Sequence, residues 1–252
     1  MAISENDVFL IVFVCVFGSA ILGVFLGKLL PDRHLNNDAK DIVKLATGLI
    51  ATLAALVLGL LVSSAKARFD QVNSELMQVA VKVVLLDRVL AQYGPEAKGV
   101  RALLKSGLST SAEQLLSGDE DKLDTSATVH RMEAIQTSIR ALTPQNDGQR
   151  ELRSRAAEIS DELAGSGWLL VLQSKGSIST VMLVMMVFWL SVIFTAWGVF
   201  SPRNPLVIVV FLAASLSVSG ATFVILEMDQ PLTGWIRVSP IPMQEAIAHL
   251  VE

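Results

Sequence analysis

Four apolar blocks dominate this chain, and each is long enough to dictate what surrounds it. They run from Val8 to Leu30, from Leu45 to Val62, from Ile178 to Phe200 and from Leu206 to Leu226. The first carries no charge before Lys28. Each approaches or exceeds the roughly 20 residues that cross a hydrocarbon core of about 30 Å. Backbone groups inside a bilayer have no water to bond, so such segments must be helices or closed barrels. Alternating strand patterns are absent, which leaves helices. Of the 252 residues 52% are hydrophobic, and that excess sits in these four blocks.

The fold class expected is therefore all-α, with four transmembrane helices and a helical soluble domain between the second and third. The spans are placed at residues 8–30, 42–62, 178–200 and 205–226, the soluble domain at 63–177 and a C-terminal tail at 227–252. The N-terminus does not read as a secretion signal. It carries Glu5 and Asp7 where a basic segment would stand, and its apolar block is too long. Cys15, the single cysteine, lies inside the first span, so no intramolecular disulfide is expected.

The second block does not end where a span should. From Leu60 to Tyr93 there is neither Gly nor Pro. Phe69, Val72, Leu76, Val79, Val83, Leu86, Leu90 and Tyr93 recur at alternating spacings of three and four, the seam of a helix that packs along another helix. The second span is thus expected to continue beyond Ser63 as a rod of about 45 Å. Gly94-Pro95 breaks it, and Pro95 suits the first position of the next helix.

Further amphipathic helices are expected around Val100, Leu103, Leu104 and Leu108, and around Val129, Met132, Ile135, Ile139 and Leu142. A last one carries Leu152, Ala156, Ile159 and Leu163, with a hinge at Gly165-Ser166-Gly167. The stretch 117–126 reads as a loop, with Thr125 or Ser126 as a helix cap.

Catalytic chemistry finds no foothold. His34, His130 and His249 are far apart, and none has a partner at zinc-ligand spacing. There is no phosphate loop and no nucleophile elbow. The acidic run Asp119, Glu120, Asp121 and Asp124 lacks the spacing and closing Glu of a calcium loop, and a solvated loop is the plainer reading. No catalytic residue, metal centre or cofactor is expected. A net charge of −4 points to no nucleic-acid partner.

The membrane spans say more. At about 100° per residue, Gly48, Thr52, Ala55, Gly59 and Ser63 gather within an arc of roughly 80°, with Leu49, Leu53 and Leu60 directed elsewhere. Such a face either lets another helix approach closely or lines a narrow aqueous path. Gly23 and Gly27 form a GxxxG pair suited to packing, and Ser215, Ser219 and Thr222 form a weaker polar stripe on the fourth span. No span centre holds an ionisable residue, which argues against a proton-driven transporter.

Charges crowd the ends instead. Asp38 or Asp41 is placed to cap the second span. Glu227 and Asp229 stand at the exit of the fourth, where two carboxylates either bind a cation or simply terminate the helix and pair with a nearby Lys or Arg. Positive charges near the spans divide almost evenly between the two sides, so charge alone does not orient the chain.

Three stretches together resemble the bestrophin-like domain family of bacterial membrane proteins. They are Asp38-Ala39-Lys40-Asp41 followed by the Gly48-to-Ser63 span, then Asp87-Arg88 through Tyr93-Gly94-Pro95, and Leu226-Glu227-Met228-Asp229-Gln230-Pro231 through Gly234 to Ser239. The likeness covers essentially the whole chain. It implies four spans in the bacterial inner membrane and a helical domain in the cytoplasm. More distantly it is similar to the bestrophins, which are pentameric anion channels whose second span lines the pore and continues outward as a long helix.

By that likeness Gly48, Thr52, Leu56, Gly59 and Ser63 would border a permeation path for small ions in a homo-oligomer. Glu227 and Asp229 would stand near the calcium clasp of the animal members, although the dense acidic cluster of that clasp is missing. A different class of function is a non-conducting membrane scaffold or sensor whose helical domain binds a partner. That reading expects the seam from Phe69 to Tyr93 to pack within one subunit. The channel reading expects the seam or its flank near a symmetry axis.

Overall fold

The computed structural model describes residues 5–29, 37–117, 125–173, 178–202, 204–232 and 235–250. His34 and the acidic run from Asp119 to Asp124 lie outside them. Helices account for nearly all of the described residues, and no strand occurs among them. In chain order they are α1 (Glu5–Leu29), α2 (Asn37–Tyr93), α3 (Lys98–Ser117), α4 (Thr125–Arg140), α5 (Asp147–Gln173), α6 (Thr180–Val199), α7 (Pro205–Asp229) and α8 (Ile241–His249). Parts of four of these, α1, α2, α6 and α7, are long and apolar enough to cross a membrane.

The chain divides into two compact units, one of Met1–Ala67 with Ser177–Asp229, the other of Arg68–Gly176 with Gln230–Glu252. The division falls inside α2, a single helix of 57 residues. At about 1.5 Å per residue α2 is roughly 85 Å long.

In the first unit α1 packs on α6 and α7. The closest approach is made by glycine. A Cβ on Gly23 would overlap the backbone carbonyl of Thr195, one on Gly27 that of Val199, and one on Gly198 that of Ala20. The GxxxG pair is therefore a packing face on which two backbones nearly touch. Thr195 reinforces it by donating from Oγ1 to the Ser19 carbonyl, at 3.2 Å, across to α1. Val12, Val16, Ala20, Ala54, Ile193, Phe194 and Phe211 form one core cluster, and Leu61, Ala65, Met186 and Ile225 form another.

Ser215, Ser219 and Thr222 of α7 are buried within this unit. Ser219 and Thr222 return their hydroxyl protons to their own helix, at the carbonyls of Ser215 and Val218. The Ser215 hydroxyl has no partner among the described residues.

In the second unit the α2 seam is core. Val72, Leu76, Val79, Val83, Leu86, Leu90 and Tyr93 are buried against Val100, Leu104 and Leu108 of α3, Ile135 and Ile139 of α4, and Ala156, Ile159 and Leu163 of α5. Leu103, expected on the apolar stripe of α3, is exposed instead. The residues after α7 complete this core: Leu232, Val238, Met243, Ala246 and Leu250 all contribute.

Gly94 ends α2. It has φ of 126° and ψ of −172°, a region open in practice only to glycine. Pro95 then opens one 3-10 turn that leads into α3. Gln149, near the start of α5, donates from Nε2 to the Tyr93 carbonyl at 3.0 Å and so caps the last turn of α2.

Two local expectations are corrected. Gly165-Ser166-Gly167 is not a hinge, because α5 runs through it to Gln173. Gly167 is small for another reason: a Cβ there would strike the thioether of Met132 on α4. Nor does Asp41 cap α2. The helix begins at Asn37, which places Asp41 inside it, paired with Lys44 at 3.7 Å on the surface. The side chain of Asp38 lies outside the described residues.

Candidate functional site

The inner side of α2 in the first unit is set by Ile50, Ala51, Ala54, Val57, Leu58, Leu61 and Ala65, which join the two core clusters with α1, α6 and α7. Their spacing of three and four puts them on one side of the helix. This is a third side, recognised neither as the small, polar arc nor as the leucine arc beside it. The sequence signal for it was weak because alanine and leucine fill the whole circumference of this segment.

Among the described residues, nothing covers the opposite side. Gly48, Thr52, Ala55, Leu56, Gly59 and Ser63 are all exposed. A Cβ added to Gly48 or Gly59 would meet nothing within 4 Å beyond the helix itself. Thr52 donates from Oγ1 to the Gly48 carbonyl at 2.9 Å, so its hydroxyl is held by its own helix and its oxygen faces outward. Leu45, Leu49, Leu53 and Leu60 are exposed too, forming a leucine strip beside the small, polar one. They share the open side and do not turn to the core. Among the described residues the small, polar arc therefore packs on nothing, unlike the glycines of α1 and α6.

Glu227 and Asp229 are both buried, at 1% and 3% exposure. Asp229 accepts a hydrogen bond at Oδ2 from the Ile178 backbone N–H, 3.0 Å away. That N–H lies just before α6, so a carboxylate at the end of α7 satisfies the approach to the preceding helix and also meets its positive dipole end. Among the described residues, no group of three or more His, Cys, Asp or Glu gathers where it could hold a metal ion. His130 is exposed on α4 beside Glu133.

One polar pair escaped the sequence reading. Arg101 of α3 donates from Nε and Nη2 to the two carboxylate oxygens of Asp87 on α2, at 2.6 and 2.9 Å. The hydrogen bonds it donates to Asp87 hold the Arg101 guanidinium protonated more firmly than usual, against the opposing effect of burial. The signal was available. Asp87 interrupts the buried side of α2 between Leu86 and Leu90, where a carboxylate needs a cation.

Lys82 adds a second tie, donating to Ser166 of α5 at 3.0 Å with Glu162 3.6 Å away.

A chain with four long apolar helices, one of them running far beyond span length, defines a helical membrane-protein class rather than a particular activity. The chain belongs to the Bestrophin-like domain family, whose model matches residues 14–243. Its fold is also that of crystal structures of a bacterial bestrophin homologue from Klebsiella pneumoniae, each carrying a point mutation. One is matched with a TM-score of 0.65 at 12% identity, and a second with 0.67 at 12%, each over 96% of this chain and 97% of that one. A third gives 0.61 at 14% identity, over 94% and 97%. At such identities the likeness is one of fold. No curated protein matches the chain.

Proposed function

We propose that this protein is a homo-oligomeric channel of the bacterial inner membrane that passes small ions, anions foremost, along the open side of α2. The observation that carries the reading is the contrast between the two sides of that helix. One side is used up by α1, α6 and α7; the other presents Gly48, Thr52, Ala55, Leu56, Gly59 and Ser63 uncovered. A strip of glycine, alanine and outward hydroxyl oxygens beside a strip of leucine suits a helix with a neighbouring copy on one flank and an aqueous path on the other. Absence of ionisable groups at the span centres favours passive conduction over proton coupling. The family likeness supports anions as the cargo, a pentamer as the assembly and the cytoplasm as the place of the second unit.

A scaffold or sensor is the second reading, and one observation favours it: the seam from Val72 to Tyr93 is consumed within its own chain. The flank of the seam remains open, however, at Met77, Val81 and Leu85.

Reconstitution of a size-verified oligomer into liposomes, followed by chloride and potassium flux, separates the two. Flux that changes with substitutions at Thr52 or Ser63 supports the channel. A verified oligomer that passes no ion at any voltage or calcium level overturns it in favour of the scaffold.

A further inference from the structure

The exposed tryptophans of the second unit are unlike the rest of its surface. Trp235 is 81% exposed, and Trp168 is 48% exposed beside an equally exposed Leu169 on the last turns of α5. An indole is a large apolar body with a single N–H donor, and its preferred place is where hydrocarbon meets water.

Chain length confines both rings. Trp235 follows the last residue of α7, Asp229, by six positions, and Trp168 precedes the first residue of α6, Thr180, by twelve. Six residues span at most about 20 Å. The twelve-residue path is partly helical, at about 1.5 Å per residue, and reaches at most about 30 Å. Neither ring can stray far from the end of an apolar helix of span length. The segment at Trp235 is pinned nearby, because Val238, between it and α8, turns into the core.

An independent observation points the same way. The far ends of α1 and α6, which lie together because Gly27 meets Val199, carry Trp197, half exposed, and Lys28, 5.0 Å above the ring of Phe25. Aromatic and cationic side chains thus mark both ends of the apolar helices.

We infer that Trp168 and Trp235 lie in the lipid headgroup layer and anchor their segments of the chain there. This rests on the reading of α1, α2, α6 and α7 as membrane spans, and not on conduction.

Fluorine NMR of the full chain, grown with fluorotryptophan and placed in nanodiscs of phosphatidylglycerol and phosphatidylcholine, tests it. The four resonances are assigned by W168F, W189F, W197F and W235F, one at a time. Lipids spin-labelled near the headgroup should broaden the Trp168 and Trp235 signals to loss, and lipids labelled at the chain terminus should leave them visible. Broadening of these two only by a water-soluble paramagnet overturns the proposal, by placing the rings in bulk water. Sharp signals under every probe overturn it too, by burying them at a protein interface. Trp189 and Trp197 serve as the control for the span reading: if no lipid label broadens them, that reading has failed as well.

Discussion

Asp87 and Arg101 stand seven residues before and seven residues after Gly94, and they meet in a two-pronged ion pair, with contacts of 2.6 and 2.9 Å. The equal spacing is what a helical hairpin produces: residues equidistant from the turn come level on facing helices. The turn sets the register, and the pair locks it.

Removing the carboxylate should therefore cost more than a surface charge would. Asp87→Ala strips both hydrogen bonds from a partly buried guanidinium, and a loss of roughly 1.5–3 kcal/mol is expected in denaturant unfolding of the purified protein. Arg101→Lys keeps the charge and loses the fork, so an intermediate loss is expected. Because the arginine is held protonated above its ordinary range by the Asp87 carboxylate, its share of the stability is present at neutral pH and is lost on the alkaline side only as pH rises through the raised value. Near-neutral titration should leave that share unchanged.

Glycines in the two kinds of site should answer differently to one methyl group. Gly23→Ala and Gly198→Ala drive a Cβ into a neighbouring carbonyl, and each should destabilise the protein by about 1–3 kcal/mol or more, seen as a lower thermal midpoint in detergent. Gly48→Ala and Gly59→Ala meet nothing among the described residues and should leave the midpoint of the dissociated chain unchanged or slightly raised. A change in flux or in oligomer size from the second pair alone is the expected result.

Thr52→Val removes the outward oxygen while preserving shape, and the hydroxyl proton it gives up is bonded only to the Gly48 carbonyl. Folding should be little affected. Ion flux in liposomes should change, in selectivity or in rate.

At the end of α2, two substitutions should act in opposite directions. The Tyr93 hydroxyl is buried and has no partner among the described residues, so Tyr93→Phe should be neutral or stabilising by about 1 kcal/mol. Gln149→Ala uncovers the Tyr93 carbonyl and should cost about 1 kcal/mol. Hydrogen exchange across the last turns of α2 and thermal unfolding check both.

Asp229→Ala should loosen the approach to α6, because the Ile178 N–H loses its acceptor. Faster hydrogen exchange around Ile178 is the expected readout.

Much of this architecture was legible in the sequence, because lipid and core impose the crudest demands. The apolar blocks announce α1, α6 and α7, and a run without glycine or proline announces that α2 does not stop at Ser63. The seam from Val72 to Tyr93 reads correctly because a helix half in water must alternate. The same periodicity fails inside the apolar segment of α2, where leucines point outward at Leu49, Leu53 and Leu60 as freely as Leu61 points inward. Hydropathy cannot distinguish sides of a helix when both solvents are oily. Gly167 misled for a related reason: composition reports a small residue, and only the neighbour, Met132, shows that the smallness serves packing.

The helical unit opens with Val72 and is finished by Leu250, and this has a consequence for synthesis. A ribosome releases the chain from one end, so the early part of that core waits, apolar and open, until Leu250 has been added. Translation at about 5–20 residues per second leaves it waiting for roughly 9–36 s. A stop codon near Gln230 would not trim a tail. It would leave the unit permanently unclosed.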